Sequence, residues 1–450
     1  MKIILVRTNA PALQLVPPLG IGYISAYLNK YGVDTVIIDG LRDHLNNQKI
    51  LKIILEEKPD AVGITCLTAV YNEVMELSNL VKQNNIKCII GGVHPSFLPF
   101  QTLIDSKADF VVCGEGEKSF LQLAKNNFIN NDIKGVYSLE NLKDENQKIE
   151  FSEPLDNLDE IPFPDWNKLL PHKYIGKPAG LIYKKTPIGY VMTSRGCASN
   201  CTFCASPGFY KRNVRFRSVE NVIDEIQELK NKYGIKEIKF IDDNLVLKKD
   251  RVLELCNLII ENNINIPWAC TSGLRANNVD EEIVTKMKEA GCYNFNIGIE
   301  SANPQILLNV NKQETIEQIN NAIELADKYK IVCGGFFVFN LPGETKETIE
   351  ESISFAKKSK LTLATFNILD ILPGSKLWDD LNYKFDRYNL QYSYSEPRCI
   401  LGNLTKNDIN KAQKKAFITF YCRPKIIFKL LKFIKKEPVK YFFKRLFKIV

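Results

Sequence analysis

Arg195-Gly196-Cys197-Ala198-Ser199-Asn200-Cys201-Thr202-Phe203-Cys204 follows an apolar, β-rich run at Gly189 to Thr193, so its three cysteines stand on a loop leaving the carboxyl end of a strand. With 12 cysteines in 450 residues, a Cys-x3-Cys-x2-Cys spacing arises by chance in about 1% of such chains. A zinc site would need a fourth cysteine or histidine close by, and none is near in sequence. Three thiolates instead suit an iron–sulfur cubane, which ordinarily takes four, and leave one iron open to an exogenous ligand. Cys197, Cys201 and Cys204 are the candidate metal ligands, and a ligand-bearing strand end points to a βα architecture around them.

Outward from this loop, apolar strand-like runs recur at Glu237 to Asp242, Trp268 to Thr271, Asn294 to Ile299, Val332 to Phe339 and Thr365 to Leu369, each beside a segment of helical period. Helix starts are marked by Ser218 and by Asp280, each ahead of apolar residues at helical spacing. Six βα units predict a partial, open (β/α)6 barrel over residues 186–395. Toward the N-terminus, five runs (Lys2 to Arg7, Asp34 to Asp39, Ala61 to Cys66, Lys87 to Gly91, Phe110 to Cys113) predict a doubly wound, Rossmann-like parallel sheet over residues 1–138. Ligands of such sheets sit beyond the carboxyl ends of the strands, so the loops at Thr65-Cys66, Gly91-Gly92-Val93-His94 and Gly114-Glu115-Gly116-Glu117 are expected to share one crevice. Between the two α/β parts, residues 139–185 are polar and then proline-rich, and read as an extended linker.

Residues 396–450 read as a helical, basic C-terminal region. The formal charge of +8 lies there: from Pro424 to Val450 nine Lys or Arg meet one acid, Glu437, leaving 51 charges of each sign before it. The charge therefore argues against a nucleic-acid-binding face on the folded body. The tail alternates lysines with Ile426, Ile427, Leu430, Phe442, Phe443 and Phe447, a pattern that suits either an anionic membrane surface or docking on the barrel. Neither a secretory leader nor a spanning helix is evident, so a cytoplasmic location is expected, with membrane association at the tail. Cys88, Cys113, Cys256, Cys270, Cys292 and Cys333 lie in or beside apolar runs and read as small buried hydrophobes.

The cysteine triplet, with the aromatic Phe203 before its last member, resembles the signature of the radical S-adenosylmethionine superfamily. The resemblance implies a four-iron four-sulfur cluster whose open iron chelates S-adenosylmethionine, and reductive cleavage to a 5′-deoxyadenosyl radical. It further implies cofactor contacts at Phe203 and at strand ends: Asp242, Ser272 with Arg275, Glu300 with Ser301, and Pro342. The segment Pro17 to Gly22, the loop Gly91 to Pro95 and Gly114 to Glu117 resemble the cobalamin-binding domain that precedes one large radical subgroup, that of the anaerobic Mg-protoporphyrin IX monomethyl ester cyclase and the class B methylases. This resemblance spans about residues 1 to 400 and implies corrin contacts at Thr65, Gly91, Gly92, His94, Glu115 and Gly116. A dinucleotide site is the rival, but Gly20-x-Gly22 lacks the third glycine and falls inside the first helix.

The chain departs from the wider cobalamin-binding pattern in lacking Asp-x-His-x-x-Gly, because none of His44, His94 and His172 has an Asp two places before it. That implies cobalamin without a histidine lower ligand. The expected activity is methylation of an unactivated carbon of a small or apolar substrate, lipid-like or tetrapyrrole, with an electron donor such as ferredoxin or flavodoxin. Oxidative cyclisation of the ester-cyclase type is the runner-up. Methylthio transfer, with a second cluster at Cys66, Cys88 and Cys113, and a non-catalytic corrinoid sensor are further alternatives.

Overall fold

A computed structural model of the protein describes residues 1–9, 15–129, 132–174, 182–386 and 397–431. These divide into two compact units. The first holds described residues of 1–173, 372–374 and 382–386; the second holds those of 174–371, 375–381 and 397–431.

In the first unit β1 (Lys2–Arg7), β2 (Asp34–Asp39), β3 (Ala61–Thr65), β4 (Lys87–Gly91), β5 (Phe110–Val112) and β6 (Val136–Tyr137) form one sheet in the order β2-β1-β3-β4-β5-β6. The first five strands are parallel and β6 is antiparallel to β5. Ile3, Ile4, Leu5 and Val6 are all buried, the continuous apolar run expected of a strand covered on both faces. The chain winds outward in both directions from β1 and β3, so the order reverses between them, and the loops beyond their carboxyl ends are where such folds bind ligands. The two-residue β6 was not foreseen, being too short to carry a periodicity.

Of the expected extended linker, residues 139–185, the part as far as Lys173 packs into this unit. Asp165 caps the short helix Trp166–Leu169, and its carboxylate accepts from Ser25 Oγ and Asn29 Nδ2, each at 2.9 Å. Trp166 and Leu169 are buried. Gly22 lies inside the helix Leu19–Lys30, where a Cβ would stand 2.5 Å from Leu169 Cδ1, so this glycine admits a close neighbour and opens no phosphate-binding turn. The barrel range 186–395 is likewise interrupted: Gly374 lies against the ring of Phe97, and Phe385 packs edge-on to Tyr71 and His94, all within the first unit.

The second unit is an open parallel sheet in the order β14-β13-β12-β11-β10-β7, built from β7 (Ile188–Val191), β10 (Glu237–Phe240), β11 (Trp268–Leu274), β12 (Cys292–Glu300), β13 (Val332–Phe339) and β14 (Leu363–Ile368). Its edges do not meet, which makes it a partial (β/α)6 barrel. Ser218 and Asp280 accept hydrogen bonds from Asn221 N and Ile283 N and cap their helices as the sequence predicts. A ribbon of β8 (Ser194–Arg195) and β9 (Arg215–Phe216), too short to read in sequence, brackets the cysteine loop. The edge strand β14 is covered by the helix Lys406–Tyr421: Tyr421 Oη donates to Ala364 O at 2.6 Å and accepts from Ala364 N at 3.0 Å. Pairing the free backbone of an edge in this way removes a site for unwanted strand addition.

The first turns of the basic tail, Pro424–Leu431, bury Ile426, set Leu430 against Ile182, Ala269, Tyr293, Val332 and Leu363, and leave Phe428 outward. The remainder of the expected membrane-binding stretch, 432–450, lies outside the described residues. No helix among the described residues is long and apolar enough to cross a membrane.

Candidate functional site

Asp242, at the end of β10, anchors the root of the cysteine loop. Its carboxylate accepts from Thr193 N at 3.0 Å, Thr193 Oγ1 at 2.7 Å and Ser194 Oγ at 2.6 Å. Arg251 adds a bond to Thr193 Oγ1 at 3.0 Å. Asp242 is buried and its acceptor capacity is committed to these groups, so the structure makes it a support of the loop where the sequence suggested a cofactor contact. Gly196 has φ +101°, and a Cβ there would meet Asn213 O at 2.1 Å, so only glycine lets the loop leave this close to the returning β9 segment.

Cys197, Cys201 and Cys204 are half-buried, with Phe203 half-exposed beside them. Burial raises the Cys201 thiol and carries that of Cys204 up to about 12, while Lys312 and Arg275 oppose the rise at Cys201. Among the described residues no three His, Cys, Asp or Glu side chains converge as around a single ion. Three partly desolvated thiols on one loop suit a cubane, which spreads its thiolates over separate irons and with three ligands keeps one corner open.

Arg275 follows β11 and is buried. Nη1 donates to Ser199 Oγ at 2.7 Å and reaches Cys201 Sγ at 3.9 Å, while Nη2 donates to the carbonyls of Lys312 and, at 3.1 Å, Gln313. Glu300 has φ +61°, unusual for a side chain this large, and its Oε1 accepts from Lys312 Nζ at 2.9 Å. Lys312 also lies 3.2 Å from Glu314 Oε2, and the two carboxylates hold its ammonium well above the ordinary lysine range despite burial. Gly298 faces this pair closely: a Cβ there would lie 2.6 Å from Glu300 Oε1. Neither Lys312 nor Glu314 belongs to the strand-end pattern, and sequence reading missed both.

Ser301 is fully buried, 3.3 Å from Ser352 Oγ, and accepts from Asn303 N at 3.2 Å, so it shapes the turn after β12. Ser272 is exposed on β11, and Pro342 is half-buried with its carbonyl accepting from Asn309 Nδ2 at 3.0 Å. Next to it, Glu344 is buried; Oε2 accepts from the amides of Asn340 and, at 3.2 Å, Leu341, while Oε1 has no partner among the described residues. Burial raises this carboxyl to about 8.

In the first unit the three expected loops are stitched together mainly by backbone. Cys66 N donates to Gly91 O at 2.7 Å and His94 N to Cys66 O at 3.3 Å. Ser96 Oγ donates to Gly92 O and accepts from Gly114 N, both at 2.8 Å. Gly92 has φ +111° and a Cβ on it would stand 2.6 Å from Cys66 O, so the close pass of the loops requires glycine. Thr65, Gly91, Gly92, Glu115 and Gly116 are half-buried, leaving them accessible to a ligand, and Leu67 is 54% exposed. A rim mostly of backbone and glycine, with Thr65 and Glu115 as side chains, fits a large macrocycle such as a corrin, held mainly by shape.

His94 behaves otherwise. It is 1% exposed, its ring lies 4.6 Å from that of Tyr71 and 4.8 Å from that of Phe385, and Nδ1 is 3.1 Å from Thr68 Oγ1. Nε2 is buried without a partner among the described residues, and burial pushes the ring down to about 3, so it is neutral. The structure sets it inside an aromatic cage in place of the ligand-facing position expected. Cys66, Cys88 and Cys113 are each fully enclosed, with sulfurs near Leu67 O, Ser78 Oγ and Pro95 O, an arrangement of three separate core residues.

Residues 191–356 match the radical SAM superfamily and residues 8–124 match the B12-binding domain. The chain is 36% identical over 422 residues to an uncharacterised methyltransferase of Pyrococcus horikoshii, covering 92% of this chain and 89% of the relative. It is 28% identical over 425 residues to the anaerobic magnesium-protoporphyrin IX monomethyl ester cyclase of Rubrivivax gelatinosus, covering 90% and 75%. Its fold resembles that of the radical S-adenosylmethionine methyltransferase TsrM of Kitasatospora setae, with a TM-score of 0.69 at 19% identity over 84% of this chain and 73% of that one. Chemistry read from three cysteines and a doubly wound sheet thus converges with kinship over nearly the whole length: the chain belongs to the radical S-adenosylmethionine enzymes that carry a B12-binding domain, whose cofactors are a four-iron four-sulfur cluster, S-adenosylmethionine and cobalamin.

Proposed function

We propose that this enzyme methylates an unactivated carbon of a small or apolar substrate. The observation that carries the reading is the 36% identity, over nine-tenths of the chain, to a protein described as a methyltransferase, combined with both cofactor domains in one chain. When bound, the cluster and S-adenosylmethionine supply a carbon-centred radical, and cobalamin supplies the methyl group.

The chain's own residues take the following parts. Cys197, Cys201 and Cys204 hold the cluster, and Phe203 covers its flank. Ser272, Glu300 and Pro342, at the ends of β11 and β12 and after β13, contact S-adenosylmethionine, while Asp242 and Ser301 keep the loops that carry those contacts in place. Lys312 pairs with Glu300 and so offsets the cost of burying that side chain. Thr65, Gly91, Gly92, Glu115 and Gly116 line the corrin site. His94 supports that rim from within its cage and gives cobalt no imidazole, in line with the missing Asp-x-His-x-x-Gly pattern. An exogenous one-electron donor of the ferredoxin or flavodoxin type completes the system, and the basic residues after Pro424 suit contact with an anionic membrane that would present a lipid-like or tetrapyrrole substrate.

Oxidative cyclisation is the second reading, favoured by the 28% identity to the ester cyclase. The test is anaerobic incubation of reconstituted enzyme with cobalamin, a strong reductant and S-adenosylmethionine bearing a deuterated methyl group, followed by mass spectrometry. Labelled methylcobalamin together with 5′-deoxyadenosine is the expected result. Deoxyadenosine without labelled methylcobalamin would transfer the assignment to cyclisation.

A further inference from the structure

Arg275 differs from Lys312 and Arg217, two other buried cations of the second unit, in what surrounds it. Lys312 sits between two carboxylates, and Arg217 pairs with Glu225. Arg275 is only 8% exposed, and its side chain bonds to Ser199 Oγ, Asn277 Oδ1, the carbonyls of Lys312 and Gln313, and the thiol of Cys201, with no carboxylate among them. A buried cation without a counter-anion is costly, and it persists where a negative charge is expected to arrive. The atom of this set that gains charge is the Cys201 sulfur.

Geometry also ties Arg275 to the loop's shape. The same stretch that receives Nη2 is bonded to the cysteine loop twice more: Thr202 N donates to Val310 O at 3.0 Å, and Asn311 Nδ2 donates to Asn200 O at 3.0 Å. Asn311 and Gln313 both adopt left-handed backbone, at φ +52° and +56°, a conformation that persists where neighbouring contacts over-determine it. Arg275 is thus the rivet through two layers, joining residues 199–202 to residues 310–313. Cys204 has Asp243 in its surroundings and no guanidinium bonded to it among the described residues, whereas Cys201 has Lys312 and Arg275 nearby as well as Glu300.

We infer that Arg275 is a positioning residue that also sets the reduction potential of the cluster, its guanidinium stabilising the reduced state through Cys201. The inference rests on the proposed ligation by the three cysteines. One electron passes from an external reductant to the cluster, and the added negative charge is balanced in place by Arg275, because charge and hydrogen bonding at the sulfurs are among the terms that set such potentials.

The experiment uses the full chain reconstituted with iron and sulfide, without S-adenosylmethionine, titrated with mediators and dithionite and followed by EPR of the reduced cluster. Iron content and the EPR signal of the unaltered chain test the ligation itself; a chain that takes up no cluster would sink that reading, and this inference with it. Given a cluster, Arg275→Gln is expected to lower the midpoint so that the reduced-to-oxidised ratio at fixed potential falls about tenfold, 59 mV for one electron. Arg275→Lys, which keeps the charge but cannot bridge both layers, is expected to recover most of that shift while taking up less iron. An unchanged midpoint in Arg275→Gln overturns the inference. If that variant takes up no iron, Ser199→Ala decides, since freeing Nη1 from its anchor should lower the midpoint in the same direction and an unchanged value would refute the role.

Discussion

Around Cys201 the second unit places ions out of water: Arg275, and Lys312 between Glu300 and Glu314. Around Gly91 and Gly92 the first unit uses backbone bonds, glycines and the neutral hydroxyls of Ser96 and Thr68, and its buried histidine is held uncharged. On the proposed function, the two regions differ in the charge of what they would receive. A cluster on three thiolates is anionic and changes charge during turnover, so compensating ions must be in position beforehand. A corrin is large and held mainly by shape, for which close backbone approach suffices.

The sharpest way to break this comparison is Cys201→Ala. Loss of the thiol beside Arg275 is expected to remove cluster assembly and reduce 5′-deoxyadenosine formation to background, while cobalamin binding by the first unit, followed by absorbance, stays intact. Lys312→Met comes next. It strands two buried carboxylates, which costs about 3–5 kcal/mol, read as a lowered unfolding midpoint in calorimetry.

The pH responses of the two units should have opposite signs. Because His94 is buried neutral with its pKa down at about 3, the unfolded chain takes up a proton first as pH falls below about 6.5, and stability is lost with acid, by about 2–3 kcal/mol at pH 4.5. Glu344 is buried protonated with its pKa up at about 8, so its contribution is fully present below about pH 4.5 and is lost as pH rises through 8, by up to about 5 kcal/mol. His94→Phe should flatten the acid limb and Glu344→Gln the alkaline limb of the unfolding midpoint against pH; a variant that flattens neither would remove that residue from the comparison. The smallest effect is expected from Gly92→Ala, where strain at φ +111° and the clash with Cys66 O cost about 1–3 kcal/mol. It should weaken cobalamin binding and leave the iron content of the second unit unchanged.

Both sheets were legible because their strands announce themselves locally. Lys2–Arg7, Asp34–Asp39, Lys87–Gly91 and Val332–Phe339 occur where the apolar runs predict them. The cysteine loop was legible because its three cysteines lie within eight residues of one another. Strand-end residues were harder to assign. Asp242 and Ser301 carry the right chemistry at the right place, yet their hydrogen bonds turn inward onto Thr193, Ser194 and Asn303. Residue type and strand position do not reveal the direction of a side chain's bonds. The polar and proline-rich composition of residues 139–185 suggested an extended connector, and what it could not reveal is that Asp165 finds Ser25 and Asn29.

Strand periodicity, the cysteine spacing, the glycine-rich strand ends and the absence of a cobalt-binding histidine pattern were determined by the sequence alone, since each is a relation among neighbours along the chain. Only the tertiary structure decided that Arg275 meets Ser199, 76 positions away, that Lys312 closes on Glu300, and that Phe385 returns after β14 to enclose His94. Those contacts depend on how the sheet brings strand ends together, and a buried charge or an enclosed ring takes its character from neighbours that linear spacing does not specify.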